Sequence, residues 1–123
     1  MTSKVQFRLR VYNDSTIAIG PGKVQLLEAI AEAGSISAAA RARGMSYRRA
    51  WVLVDEMNRS LQMPAVNTAA GGAHGGGASL TPTGEAIVRH YRSIETTARM
   101  AAASDIAALT RMLNPLGTTA SGS

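Results

Sequence analysis

Residues 34–58, GSISAAARARGMSYRRAWVLVDEMN, constrain the fold more than any other part of the chain. Ser35 is placed to cap a short helix over 36–43, Gly44 supplies a turn with positive φ, and Ser46 can cap a second helix. Two short capped helices around a glycine turn make a helix–turn–helix. Ala39 and Ala40 are small where the helices must approach closely. The buried stripe of the second helix is read as Met45, Ala50, Trp51, Val54, Met57 and Leu61. On this reading Trp51 belongs to the core and is not a platform for stacking a base. Tyr47, off the stripe at the helix start, is the exposed aromatic.

The flanks of this motif have their own periods. Val5, Phe7, Leu9 and Val11 alternate with Gln6, Arg8, Arg10 and Tyr12, the two-residue period of a half-buried strand. Asn13, Asp14 and Ser15 read as a turn, with a short return strand over 17–19. After Gly20, Pro21 and Gly22, the positions Val24, Leu27, Ile30 and Ala31 recur at helical spacing up to Gly34, a C′ glycine. Pro64 ends the second helix of the motif. Residues 65–70, the glycine cluster GGAHGGG at 71–77 and a return strand over 78–80 form a hairpin, the wing of a winged helix. The frame from Gly72 to Gly77 matches a nucleotide-binding loop in length, but Ala78 and Ser79 stand where lysine and Ser/Thr are required, so that reading is rejected.

From about 83 to 113 the chain reads as one long helix. Ile87, Tyr91, Ile94, Ala98, Ala101, Ala108 and Met112 follow steps of four and three, with Asp105 interrupting the register, and Ala102, Ile106, Leu109 and Leu113 form a second stripe. Such a rod is about 45 Å long, more than a domain of this size covers along one side, so the excess is assigned to dimerisation. The dimerisation residues are taken as Ile87, Tyr91, Ile94, Ala98, Ala101 and Ala108. The fold class is thus mainly α with a small β component: a winged helix–turn–helix with a long C-terminal dimerisation helix. With 123 residues, 46% of them apolar, there is room for one domain, 1–114, and residues 115–123 are expected to be a disordered tail.

The net charge of +5 comes mostly from arginine, which suits a phosphate polyanion and makes double-stranded DNA the leading partner. Between residues 34 and 49 stand four arginines and no acidic residue. At the start of the second helix, Ser46, Tyr47, Arg48 and Arg49 occupy the positions that meet base edges in the major groove. Ser35, Ser37 and Arg43 complete the candidate DNA-contacting set on the first helix and turn. At the wing tip His74, Gly75 and Gly76 let backbone approach DNA without bulk. A protein-interaction winged-helix module acting as a co-regulator is the alternative, distinguished by binding that salt does not weaken.

Without cysteine the chain has no disulfide, thiolate zinc site or thiol nucleophile, and His74 and His90 are its only histidines. No metal site is assigned, and His90 reads as a packing or surface residue. No paired carboxylates or activated nucleophile point to an enzyme. No apolar run of about eighteen residues spans a membrane, and the N-terminus lacks a signal peptide's apolar block, so cytoplasmic residence is expected.

The 34–58 stretch, together with TAAGGAHGGGASLTPTG at 68–84, resembles the N-terminal winged-helix domain of the molybdate-responsive ModE transcription regulators. GSIS, SY followed by basic residues, AW, EMN and the glycine clusters before LT carry the likeness, which covers roughly residues 20–95 well. The resemblance implies a cytoplasmic, dimeric regulator of a palindromic operator, with Ser46, Tyr47, Arg48 and Arg49 opening the recognition helix and 71–77 as the wing. Full-length members bind molybdate or tungstate in C-terminal domains between subunits. Because the chain stops at Ser123, a single-domain relative is expected, with no cofactor and no oxyanion-sensing residue to assign, while molybdate or another oxyanion stays open as an effector although its usual binding domain is absent.

Overall fold

The computed structural model describes residues 3–69 and 77–115. The helix–turn–helix forms as its sequence dictates, because its signals are local. Helix α1 (Pro21–Ala33) ends at Gly34, whose φ of 78° is left-handed and whose N–H donates to the Ile30 carbonyl at 2.9 Å. Helix α2 (Ile36–Ala42) starts where the Ser35 hydroxyl oxygen accepts the Ala38 N–H at 3.0 Å, and α3 (Tyr47–Ser60) where Ser46 does the same for Arg49 at 3.0 Å. Between them Gly44 takes a φ of 67°. Leu26, Leu27 and Ile30 of α1 meet Ala39 and Ala40 of α2 and Ala50, Val54 and Met57 of α3 in one buried cluster.

Two hairpins flank this core. Strands β1 (Val11–Asn13) and β2 (Thr16–Ile19) pair antiparallel, with Asn13 opposite Thr16 and Asp14 at a φ of 55° in the turn. In the wing, β3 (Val66–Thr68) pairs with β4 (Ala78–Leu80), Val66 opposite Leu80 and Thr68 opposite Ala78. The Ala78 N–H also donates to the Gly34 carbonyl at 2.9 Å, which ties the wing base to the end of α1. The wing tip, including His74, Gly75 and Gly76, lies outside the described residues.

Three sequence expectations change. The strand expected from Val5 onward pairs only from Val11. Its alternation nevertheless survives as burial, with Val5, Phe7 and Leu9 half-buried and Gln6, Arg8 and Arg10 exposed. The reason is the neighbour: the segment runs along a helix, α4 (Pro82–Ala101), and a helix offers side-chain grooves but no ladder of free backbone groups. Tyr91 of α4 donates its hydroxyl to the Leu9 carbonyl at 2.9 Å, and Arg99 donates to the Val5 carbonyl at 2.9 Å while its guanidinium lies 5.3 Å from the Phe7 ring centre.

The single helix expected over 83–113 is two, α4 and α5 (Ala103–Arg111), broken at Ala102. The break falls just before Ser104 and Asp105, residue types that favour the first turn of a helix, where a carboxylate meets the positive end of the dipole. Trp51, expected in the core, is exposed. At about 100° per residue it stands a quarter-turn from Ala50, so the stripe that actually buries is the narrower Ala50, Val54 and Met57.

Candidate nucleic-acid interface

Burial of Ala50, Val54 and Met57 against α1 and α2 leaves the opposite face of α3 to solvent, where Arg48, Val52, Asp55 and Arg59 lie. Tyr47 and Trp51 form one flank of that face, edge to face with ring centres 6.2 Å apart. Their contact stiffens the helix start without burying either ring. Arg59 pairs with Asp55 at 3.0 Å, so the acidic residue nearest the outer face is neutralised in part by its own neighbour one turn on. The first turn of α3 contains no acidic side chain. Positive charge and the free N–H groups of a helix start therefore coincide.

The structure brings most of the candidate set together. Tyr47, Arg48 and Arg49 are exposed in the first turn of α3. Ser35 and Ser46 are occupied as caps: each hydroxyl oxygen accepts from the backbone, while its proton stays available to an outside acceptor. Ser37 is exposed and accepts from Arg41 at 3.1 Å. Arg43 donates to the Gln25 amide oxygen at 2.6 Å, which ties the end of α2 to α1. The sequence reading passed over Val52, exposed on the outer face and able to meet a thymine methyl group. Counting helical turns from Ala50, Val54 and Met57 alone, without Trp51, would have found it.

This geometry is that of a helix–turn–helix with an exposed second helix, and the family match agrees with it. The family model for bacterial regulatory helix–turn–helix proteins of the LysR family matches residues 22–85. The chain belongs to that family. Within it the likeness is to ModE-type domains. The chain is 52% identical over 77 residues to the molybdenum-pterin-binding protein MopB of Rhodobacter capsulatus, covering 63% of this chain and 28% of that protein. It is 41% identical over 88 residues to the molybdenum transport protein ModE of Azotobacter vinelandii, covering 72% and 33%. Against the DNA-binding transcriptional dual regulator ModE of Escherichia coli the figures are 42% over 71 residues, 58% and 27%. The matched region spans about a third or less of the length of these relatives.

In this regulatory helix–turn–helix the wing base is clamped to α3. Asn58, on the same flank of α3 as Trp51, accepts the Ala65 N–H at 2.8 Å and the Val66 N–H at 3.3 Å and donates to the Val66 carbonyl at 3.3 Å. Just after the far strand Thr81 donates its hydroxyl to the Pro64 carbonyl at 2.6 Å and caps α4 by accepting the Gly84 N–H at 3.0 Å. A Cβ at Gly84 would collide with the Ala65 carbonyl oxygen, so this position requires glycine for close approach. The opposite flank is polar. Lys23, buried at the start of α1, donates to the Ile17 carbonyl and pairs with Glu56 at 3.3 Å.

The dimerisation set divides. Tyr91 is only 2% exposed, and its hydroxyl is committed to the Leu9 carbonyl of its own chain, so it belongs to the monomer core. Ile87 packs against that core. Ile94 and Ala101 are exposed, Ala98 and Ala108 half-buried. Beyond them α5 has no buried residue, and Leu109, Met112 and Leu113 stand open to solvent. Arg92 anchors the middle of α4, donating to both Glu28 carboxylate oxygens at 2.9 and 2.7 Å and to Glu95 at 2.7 Å. These hydrogen bonds hold the Glu28 carboxyl below its ordinary range, and burial raises the Tyr91 phenol above its own. No described helix is long and apolar enough to cross a membrane.

Proposed function

We propose that this protein is a transcription regulator that binds a palindromic double-stranded DNA operator as a homodimer, reading bases with the first turns of α3. The observation that carries this reading is the start of α3: capped by Ser46, free of acidic side chains, and presenting Tyr47, Arg48 and Val52 outward. Arg48 suits guanine O6 and N7, while the Ser37 hydroxyl and the wing suit the backbone on either side. The exposed apolar residues of α4 and α5, Ile94, Leu109, Met112 and Leu113, supply the surface for a second copy. Two copies related by a two-fold axis read half-sites about 34 Å apart, hence the palindrome. The molybdenum-linked names of the relatives favour genes of molybdenum handling as the setting of the operator.

The test is selection of bound sequences from random duplex DNA at two salt concentrations. The expected result is a two-fold symmetric motif whose binding weakens steeply with salt. Weak, motif-free retention at both concentrations overturns the proposal.

A further inference from the structure

A recognition helix in the major groove has a phosphodiester strand along each flank, so each side of α3 has a backbone to meet. The wing serves one side, because Asn58 clamps β3 to the flank that also holds Trp51. On the other flank Arg49 lines a cleft of about 430 Å³ together with Arg8 and Arg10 from the N-terminal segment. Neither hairpin nor helix accounts for these two arginines. Their odd-numbered neighbours Val5, Phe7 and Leu9 pack toward α4, and the alternation turns Arg8 and Arg10 outward.

The charges in this cleft do not cancel. Glu56 also lines it, but its carboxylate is answered by Lys23. Among the described residues none of the three arginines forms an ion pair. Three arginines from two distant parts of the sequence thus line one solvent-open recess. The segment that holds two of them is already pinned by the Tyr91 and Arg99 hydrogen bonds, so a ligand need not order it on binding.

We infer that residues 3–10 are a second DNA-contacting element, in which Arg8 and Arg10 join Arg49 to hold the phosphodiester strand on the side of the major groove away from the wing. This rests on the reading of α3 as the recognition helix. The contacts are to phosphate, so they set affinity and register on the duplex and leave base preference to α3.

The test measures affinity of the full chain for its selected operator and for an unrelated duplex, by fluorescence anisotropy across a salt series. Four proteins are compared: wild type, Arg8→Ala/Arg10→Ala, Arg48→Ala, and the charge-matched control Arg89→Ala/Arg111→Ala, with thermal melting to verify folding. With a slope change of about 0.9 per lost phosphate contact, the Arg8/Arg10 variant should bind both duplexes on the order of ten- to a hundredfold more weakly, with a slope shallower by about one to two. Its ratio of operator to unrelated affinity should stay that of wild type. Wild-type affinity and slope in this variant, or a loss no greater than that of the charge-matched control, overturns the inference. Unchanged operator preference in Arg48→Ala alongside a weakened Arg8/Arg10 variant would instead remove the role given to α3 and leave the arginine contact standing.

Discussion

The helix–turn–helix with its wing base and the α4–α5 arm are built on opposite terms. In the first, every element is buried against another: Leu26, Leu27, Ile30, Ala50 and Met57 are sealed from water, caps close both helix starts, and Asn58 and Thr81 bind the hairpin's loose backbone groups. In the second, α4 is anchored from its start to its middle by Gly84, Tyr91 and Arg92, and beyond Ile94 its apolar side chains increasingly face water. On the proposed function, the contrast separates a surface that meets a polyanion from one that meets a second copy. A DNA-reading face must be rigid before binding, since its charges are aimed by the scaffold beneath, whereas an association surface is completed only by its partner.

The strongest way to break this comparison is to substitute one leucine in each region. Leu27→Ala, in the sealed core, should lower unfolding free energy by about 2–5 kcal/mol in urea denaturation. Leu109→Ser, on the open face of α5, should leave dilute-solution stability nearly untouched and shift sedimentation toward monomer. A large stability loss at Leu109 in the monomer would mean that the arm is part of the core after all.

Asn58→Ala sharpens the picture of the wing. It strands the Ala65 and Val66 N–H groups at the wing base and should cost about 1–3 kcal/mol of stability. Hydrogen exchange should accelerate at Ala65 and Val66 before it does in α1. Uniform acceleration through α1 would show that the clamp supports the whole fold and not the wing alone.

Smaller still is Ser46→Ala, which removes the cap of α3 and should cost about 1 kcal/mol, read from the urea midpoint. Ser46→Asp should restore most of it, since an aspartate also accepts the Arg49 N–H, yet it should weaken DNA binding by placing an anion beside phosphate. Equal DNA affinity in both variants would remove Ser46 from the interface.

The least effect belongs to the Arg92–Glu28 pair, which is part-exposed and screened by water. Because Arg92 lowers the folded-state pKa of Glu28, the pair's contribution is fully present above the ordinary glutamate range and is lost as pH falls through the lowered value. Wild type should therefore exceed Glu28→Gln in stability by a small margin at neutral pH, with the margin vanishing in acid. A margin that persists in acid would assign the contact's value to packing instead of charge.

What was legible in the sequence was legible because its causes were short-ranged. Ser35, Gly34, Gly44 and Ser46 act on backbone groups within four residues, so the two helices of the motif and their turn emerge with their ends in place. Trp51 misled because a large apolar side chain on an amphipathic helix is ordinarily core, and only the angle set by Ala50, Val54 and Met57 turns it out to face Tyr47.

Alternation at Val5, Phe7 and Leu9 announced one buried edge without saying whether a strand or a helix lay beneath it, and the neighbour was α4. Local chemistry thus determined the elements, their caps and the acid-free start of α3. The assignment of Tyr91 to its own chain's core, the two flanks of α3 and the cleft that Arg8 and Arg10 line with Arg49 were decided by tertiary packing. These depend on contacts between residues far apart in sequence, and periodicity records which face is apolar but not what covers it.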